Sequence, residues 1–392
     1  MRQDGRLMAI LCVMGALVLW CGGEVLGQQP AGITDHLIVE QGEFSSDEHA
    51  LIRDYVGYWA GQMLGEPSAV KIASAREELL RPVRRARYVR ESAAEGNPIR
   101  VAIFSETYAA QVANAISPGV SSDRMLCRLN TIIVAAELRS SFTTETIVTA
   151  LGDKSAAVRL WAGKACEMAM HQRAANAPPP LGEAQQAQLH EELRRSIKAE
   201  RSPWAREEMY GALGSLSIDA ARADMFGLLE RRVSEYYWNV RRMGRSIRAD
   251  AAGFKAMSGR LMFNWYGPGA DKRKLEADVR RLVILSGKYL QLMAKVAPES
   301  EKLPGEVHAV CMDMIGKIDD VLGWFVYEWK SKVKVTPLRK MWEEKRVLDF
   351  VDQVLADVGP GGELTELELG IKPSDFEIPQ PKDDRAATPG GG

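Results

Sequence analysis

Cysteine is scarce in this 392-residue chain, with five in all, and charge of neither sign dominates: 51 Lys and Arg face 52 Asp and Glu. The first shortage excludes a disulfide-stapled scaffold. The second excludes a protein that gathers nucleic acid by bulk positive charge, and no nucleic-acid partner is expected. Long apolar stretches are missing as well. The run Leu7 to Trp20 has 14 residues, against the roughly 20 that a spanning helix needs. A multi-span membrane protein is excluded. Phosphate-loop, dinucleotide, Gly-x-Ser-x-Gly and His-Glu-x-x-His strings are all absent. His190-Glu191 begins the last of these, but residue 194 is Arg, so the second metal ligand is missing and His190 reads as a helix-surface residue. What is present is ordinary globular composition, 46% hydrophobic and 26% charged, long enough for two or three domains.

Arg2 and Arg6 precede the apolar run, and Val25 and Gly27 are small enough for a signal-peptidase site before Gln28. Residues 1–27 therefore read as a signal peptide and the protein as exported, to periplasm or extracellular space. An uncleaved N-terminal membrane anchor is the alternative. Trp20 is too bulky to precede a lipidated Cys21. Cys127, Cys166 and Cys311 remain, and they read as buried small apolar side chains. One disulfide with one free thiol is the other reading.

Helical spacing recurs along the chain, while sustained strand alternation is hard to find. The fold class read from this is all-α. Ser46-Asp47 opens a helix to about Leu64. A second helix runs from about Ser68 to Glu91, with Pro82 as an expected kink or boundary. Segments at about 99–116 and 123–138 follow. Thr144 to Leu151 is short and helical, then a polar turn leads to a helix starting Ala156-Ala-Val-Arg159. Forty-seven residues later the order recurs: helix 189–199, the turn Glu200-Arg-Ser202, and a helix starting Pro203-Trp-Ala-Arg206. Ser155 aligns with Ser202, Arg159 with Arg206, and Ala165 with Ala212. This pattern resembles a HEAT repeat, whose units have periods of this size. The resemblance covers about two units, residues 144–216, and implies an α-solenoid over residues 28–238; an irregular α-helical domain is the alternative. The resemblance also implies that Arg159 and Arg206 tie neighbouring units together, and that Ala165 and Ala212 let paired helices approach.

Residues 239–270 look less regular, with Gly244, Gly253, Gly259 and Gly267-Pro-Gly269. Beyond them, Leu275, Val279, Leu282, Ser286, Tyr289, Met293 and Val296 alternate at spacings of four and three. So do Val307, Cys311, Met314, Ile318, Val321 and Phe325. A third helix is expected over 337–358, with Trp342, Leu348, Val351 and Leu355 inward. Residues 271–358 thus read as a bundle of long antiparallel helices. Residues 359–392 read as an acidic, Pro/Gly-rich disordered tail.

No catalytic constellation emerges. His308 and Cys311 could face one way, but no further ligands are nominated and Cys311 lies on the apolar stripe. Adjacent acidic pairs such as Glu77-Glu78 and Glu207-Glu208 point apart on a helix and read as solvated faces. No cofactor or metal is expected. One segment departs from the average: residues 231–260 hold eight basic and two acidic side chains. Arg241, Arg242, Arg245 and Arg248, with Tyr237, Trp238 and Trp265 nearby, form the candidate binding surface, Arg241, Arg245 and Arg248 sharing one face if helical. The acidic tail could dock there as an internal cover. A second basic run, Arg81 to Arg90, is offset by Glu77 and Glu78.

These features point first to a non-catalytic protein–protein interaction or scaffold module of the cell envelope, with a protein partner. The alternative is a binder of anionic glycan or lipid head groups through residues 231–266. An enzyme with an unrecognised site is the third reading.

Overall fold

The computed structural model describes residues 32–380 apart from 34, 40–43, 93–97, 171–180, 268–269, 330–335, 360–361 and 366–368. The expected signal peptide lies outside the described residues. Among those described, the chain is all-helical with no strand, and no helix is long and apolar enough to cross a membrane. It divides into two compact units, residues 1–134 and 135–392. The division falls inside the span 28–238 read as one repeat domain.

The first unit holds α1 (Asp35–Val39), α2 (Ser46–Gly65), α3 (Ala69–Ser92), α4 (Pro98–Ile116) and most of α5 (Met125–Leu138). Ser45 caps α2: its Oγ accepts from the Glu48 backbone N–H at 3.2 Å, and Glu48 accepts from the Ser45 N–H at 2.7 Å. The helices pack on a core that includes Ile52, Met63, Leu79, Phe104 and Val112. Pro82 does not end α3, which runs through it. A proline leaves the carbonyl four residues back without its helical partner. That carbonyl belongs to Glu78, and the Tyr55 hydroxyl donates to it at 2.9 Å. The fully buried Arg100 donates to the Leu37 carbonyl at 3.3 Å, pairs with Glu48 and stacks 3.6 Å over the Phe44 ring. Arg81 and Arg84 pair with Glu78 and Glu77, each at 2.6 Å.

The second unit runs through α6 (Thr144–Leu151), α7 (Ala156–Ala169), α8 (Glu183–Ala199), α9 (Pro203–Ser215) and α10 (Asp219–Trp238). It continues through α11 (Ile247–Trp265), α12 (Lys272–Val296), α13 (Gly305–Glu328), α14 (Leu338–Glu343) and α15 (Val347–Val358). Successive helices pair: α6 with α7, α8 with α9, α10 with α11, α12 with α13. Across the pairs, α7 packs on α9, α9 on α11 and α11 on α13, while α6 packs on α8 and α10 on α12. Glycine brings the middle helices together. A Cβ on Gly163 would stand 2.9 Å from the Glu208 backbone, and one on Gly214 would stand 2.7 Å from the Gly253 carbonyl. Ala165 and Ala212 are fully buried, but the closest approaches fall on these neighbouring glycines.

Three expectations are corrected. Residues 239–270 are not irregular throughout: two 3-10 turns, Val240–Arg242 and Gly244–Ser246, lead into the 19-residue α11. The helix expected over 337–358 breaks at Lys345, which adopts φ 56°, ending α14 as a glycine would. With the register reset, α15 buries Phe350, Val354 and Val358, and Leu348 and Leu355 face outward at 78% and 59% exposure. Finally, the tail is packed as far as Phe376 among the described residues, with Leu364, Leu369, Ile371 and Phe376 buried. Residues 381–392 lie outside the described residues. Every residue of the two stripes on α12 and α13 is buried, as the spacing predicts. Cys127, Cys166 and Cys311 are free and buried.

Candidate functional site

The two arginines singled out by the repeat pattern meet at one acid. Arg159 of α7 grips Glu200 with two parallel hydrogen bonds, 2.6 and 2.9 Å, and donates to the Asp153 carbonyl at 2.7 Å. Arg206 of α9 donates to the backbone carbonyl of the same Glu200. Glu200 also accepts from the N–H groups of Arg201 and Ser202 at 2.8 and 2.7 Å. Burial opposes its charge, but the Arg159 fork and these N–H donors outweigh it and hold the carboxyl below its usual range. The pair links the start of α7 to the turn before α9.

The basic segment does not form a single face. Arg241 and Arg242 are exposed on the first 3-10 turn, Arg245 lies in the second, and Arg248 begins α11. Arg248 turns inward, pairing with Glu207 at 2.5 Å and stacking 4.1 Å over Trp204. Arg260 donates to the carbonyls of Ser215 (3.0 Å) and Met170 (2.8 Å). Arg232 stands 3.7 Å from the buried Asp250. Three of the eight basic side chains thus serve the fold. Trp265 is buried, donating to Glu328 at 2.7 Å beside Trp324 and Trp329. Tyr237 lies under the Lys295 ammonium at 4.2 Å. Trp238 donates to the Pro379 carbonyl at 3.1 Å, so the tail reaches this segment, at Ser234 and Trp238.

A groove of about 410 Å³ crosses α7, α9 and α11. Its floor is Gly211, Ser215, Ala252, Ala256 and Gly259, small residues that leave room because they lack side-chain bulk. Met170 and Phe263 supply apolar surface, and Lys255 and Arg260 stand on the α11 side. Glu167 and Glu208 line the opposite side. Glu207-Glu208 is therefore not a solvated face: Glu207 pairs with Arg248, and Glu208 is half-buried with no hydrogen bond or ion pair among the described residues. Burial pushes the Glu208 carboxyl up, and the neighbouring charge of Glu167 adds to it. Sequence reading missed this site because it is built from small residues on three helices. The larger cavity, about 490 Å³ beside α13 and α14, is less promising, because its charges are spent on each other. Lys317 pairs with Asp320, Arg339 with Glu343, and Asp319 takes the N–H groups that open α14.

A buried polar cluster lies where α9, α10, α11 and α12 meet. Neither oxygen of the fully buried Asp250, nor the hydroxyls of Tyr236 and Tyr289, has a hydrogen-bond partner among the described residues. Burial raises Asp250 to about 6, despite the attraction of Arg232.

No group of three or more His, Cys, Asp and Glu suited to a metal occurs among the described residues. Burial pushes the Cys166 and Cys311 thiols up to about 12, and His308 packs against Trp342 at 5.7 Å. His190 is buried, not on the helix surface, with Nε2 3.0 Å from Asp224. Comparison with known proteins brings no match: no family model, curated protein or solved structure resembles the chain.

Proposed function

We propose that this protein is an exported, non-catalytic interaction module, built as a HEAT-like stack of helix pairs, that holds a protein partner across α7, α9 and α11. The observation that carries the reading is the groove itself. It spans three stacked helices, has an open small-residue floor, and keeps the half-buried Glu208 without a partner among the described residues. Lys164 and Arg248 attract this carboxyl without bonding to it, so a cationic side chain on a bound partner would supply the hydrogen bond it lacks. The repeat reading is supported by the recurrence of Arg159 and Arg206 on one acid. Export is supported by the pattern of residues 1–27.

Photo-crosslinking tests the groove. A benzophenone at position 252, in the mature protein mixed with envelope extract, should give one discrete adduct that mass spectrometry identifies. Glu167→Arg with Glu208→Arg should abolish it. Equal adducts from a probe on the far face of α15 would count against the groove. A second reading, capture of an anionic glycan or lipid head group, is favoured by Arg241 and Arg242, which are exposed next to half-exposed Trp238. It requires that heparin or anionic vesicles retain the protein at low salt and release Arg241→Glu/Arg242→Glu.

A further inference from the structure

The C-terminal segment behaves less like the end of a core than like a peptide laid on a finished surface. Between residues 369 and 380, only Leu369, Ile371 and Phe376 are buried, and Lys372, Pro373, Ser374 and Glu377 remain exposed. The surface beneath is made by α10 and α12, with Val358 of α15 beside it. Its deepest point is Gly287 of α12. A Cβ there would stand 2.5 Å from the Phe376 ring and 3.0 Å from Val358, so the missing side chain is the seat of the phenylalanine. One residue before the ring, Asp375 pairs with Arg280 at 2.8 Å. Three residues after it, the Pro379 carbonyl accepts from Ser234 at 2.5 Å and from Trp238 at 3.1 Å.

An aromatic anchor in a backbone-floored pocket, an adjacent ion pair and hydrogen bonds to a main-chain carbonyl are the parts of a linear-peptide site. We propose that the α10–α12 surface is a peptide-docking groove whose resident occupant is residues 369–380 of the same chain. Its partners carry the same pattern, an apolar residue, then Asp-Phe, then a proline three residues on. The site is separate from the α7–α11 groove and does not depend on it. Tethering gives the resident segment a high effective concentration, so an incoming segment meets a competitor.

The test uses full-length proteins and a fluorescent peptide of residues 369–380, followed by anisotropy. Phe376→Ala protein, with its own anchor removed, should bind the peptide saturably. Wild-type protein should bind it at least about tenfold more weakly, because its groove is filled. Adding Gly287→Ala to Phe376→Ala should abolish binding, since the new methyl occupies the seat. Arg280→Glu in the same background should also lose the peptide, and a peptide carrying Asp375→Arg should restore it. That charge-swap rescue is not expected of a segment that only completes the core. If the folded Phe376→Ala protein binds no peptide, or binds no better than wild type, the groove does not exist as a site. If Phe376→Ala loses its helical circular dichroism, the segment is part of the core and the proposal also fails.

Discussion

Two buried carboxylates in the second unit face an arginine each, and they end in opposite states. Glu200 receives a two-pronged hydrogen bond from Arg159 and two backbone N–H groups, and its carboxyl is held low. Asp250 has Arg232 at 3.7 Å and no hydrogen bond to either oxygen among the described residues, and its carboxyl rises to about 6. Both are buried and both have a cation near. What separates them is donor geometry. Glu200 sits in a turn, where the backbone N–H groups of Arg201 and Ser202 point at it, whereas Asp250, in the first turn of α11, receives none of the N–H groups there. A nearby charge does not replace hydrogen bonds when a carboxylate leaves water.

The two carboxylates should respond to pH with opposite signs. Glu200, lowered in the folded state, stabilises above its ordinary value of 4.5, and that stability is lost as pH falls through its folded value. Asp250, raised from 3.8 to about 6, costs nothing while protonated, and stability is lost as pH climbs between those values.

The largest expected effect is that of Glu200→Ala, which strands Arg159. It should lower the unfolding free energy by about 3–5 kcal/mol in urea titrations at neutral pH. Asp250→Asn tests the other side. It should match wild type near pH 4 and gain up to about 3 kcal/mol by pH 7, since each tenfold change in proton affinity on folding is worth about 1.4 kcal/mol. A destabilised Asp250→Asn protein at pH 7 would mean that Arg232 and Asp250 form a productive pair after all. Gly214→Ala sharpens the contrast by forcing α9 and α11 apart, at a cost of about 1–3 kcal/mol. Water admitted beside α11 should bring Asp250 back toward its ordinary value and leave Glu200 unchanged, as carboxyl-detected NMR titration would read. Lys345→Gly is the control. It relieves a left-handed backbone far in sequence from both acids but also removes the Lys345 pair with Glu301, so it should stabilise by about 0.5–1 kcal/mol at acid pH and by less where Glu301 is ionised.

Much of the helix map was legible because apolar spacing and caps are local. The α6 bounds, the Ser202 cap of α9 and the stripes on α12 and α13 all follow from neighbours within a turn or two. What escaped was set by distant partners or by unmarked backbone. Pro82 signalled a break, but Tyr55, on the preceding helix, repairs it through the Glu78 carbonyl. The break at Lys345 carries no glycine or proline, so the inward face of α15 was misassigned. Arg159 stood out in the sequence, and the acid it grips did not. The groove left no local signal, since Gly211, Ala252 and Ala256 matter there for the space they leave open.

The three free thiols have a use that follows from their burial. Cys127 lies in the first unit, and Cys166 and Cys311 lie in the second. A sulfur closed off from solvent can be alkylated only when its surroundings open. Pulsed labelling read peptide by peptide would therefore time the opening of each unit on its own clock, with no probe introduced into the chain.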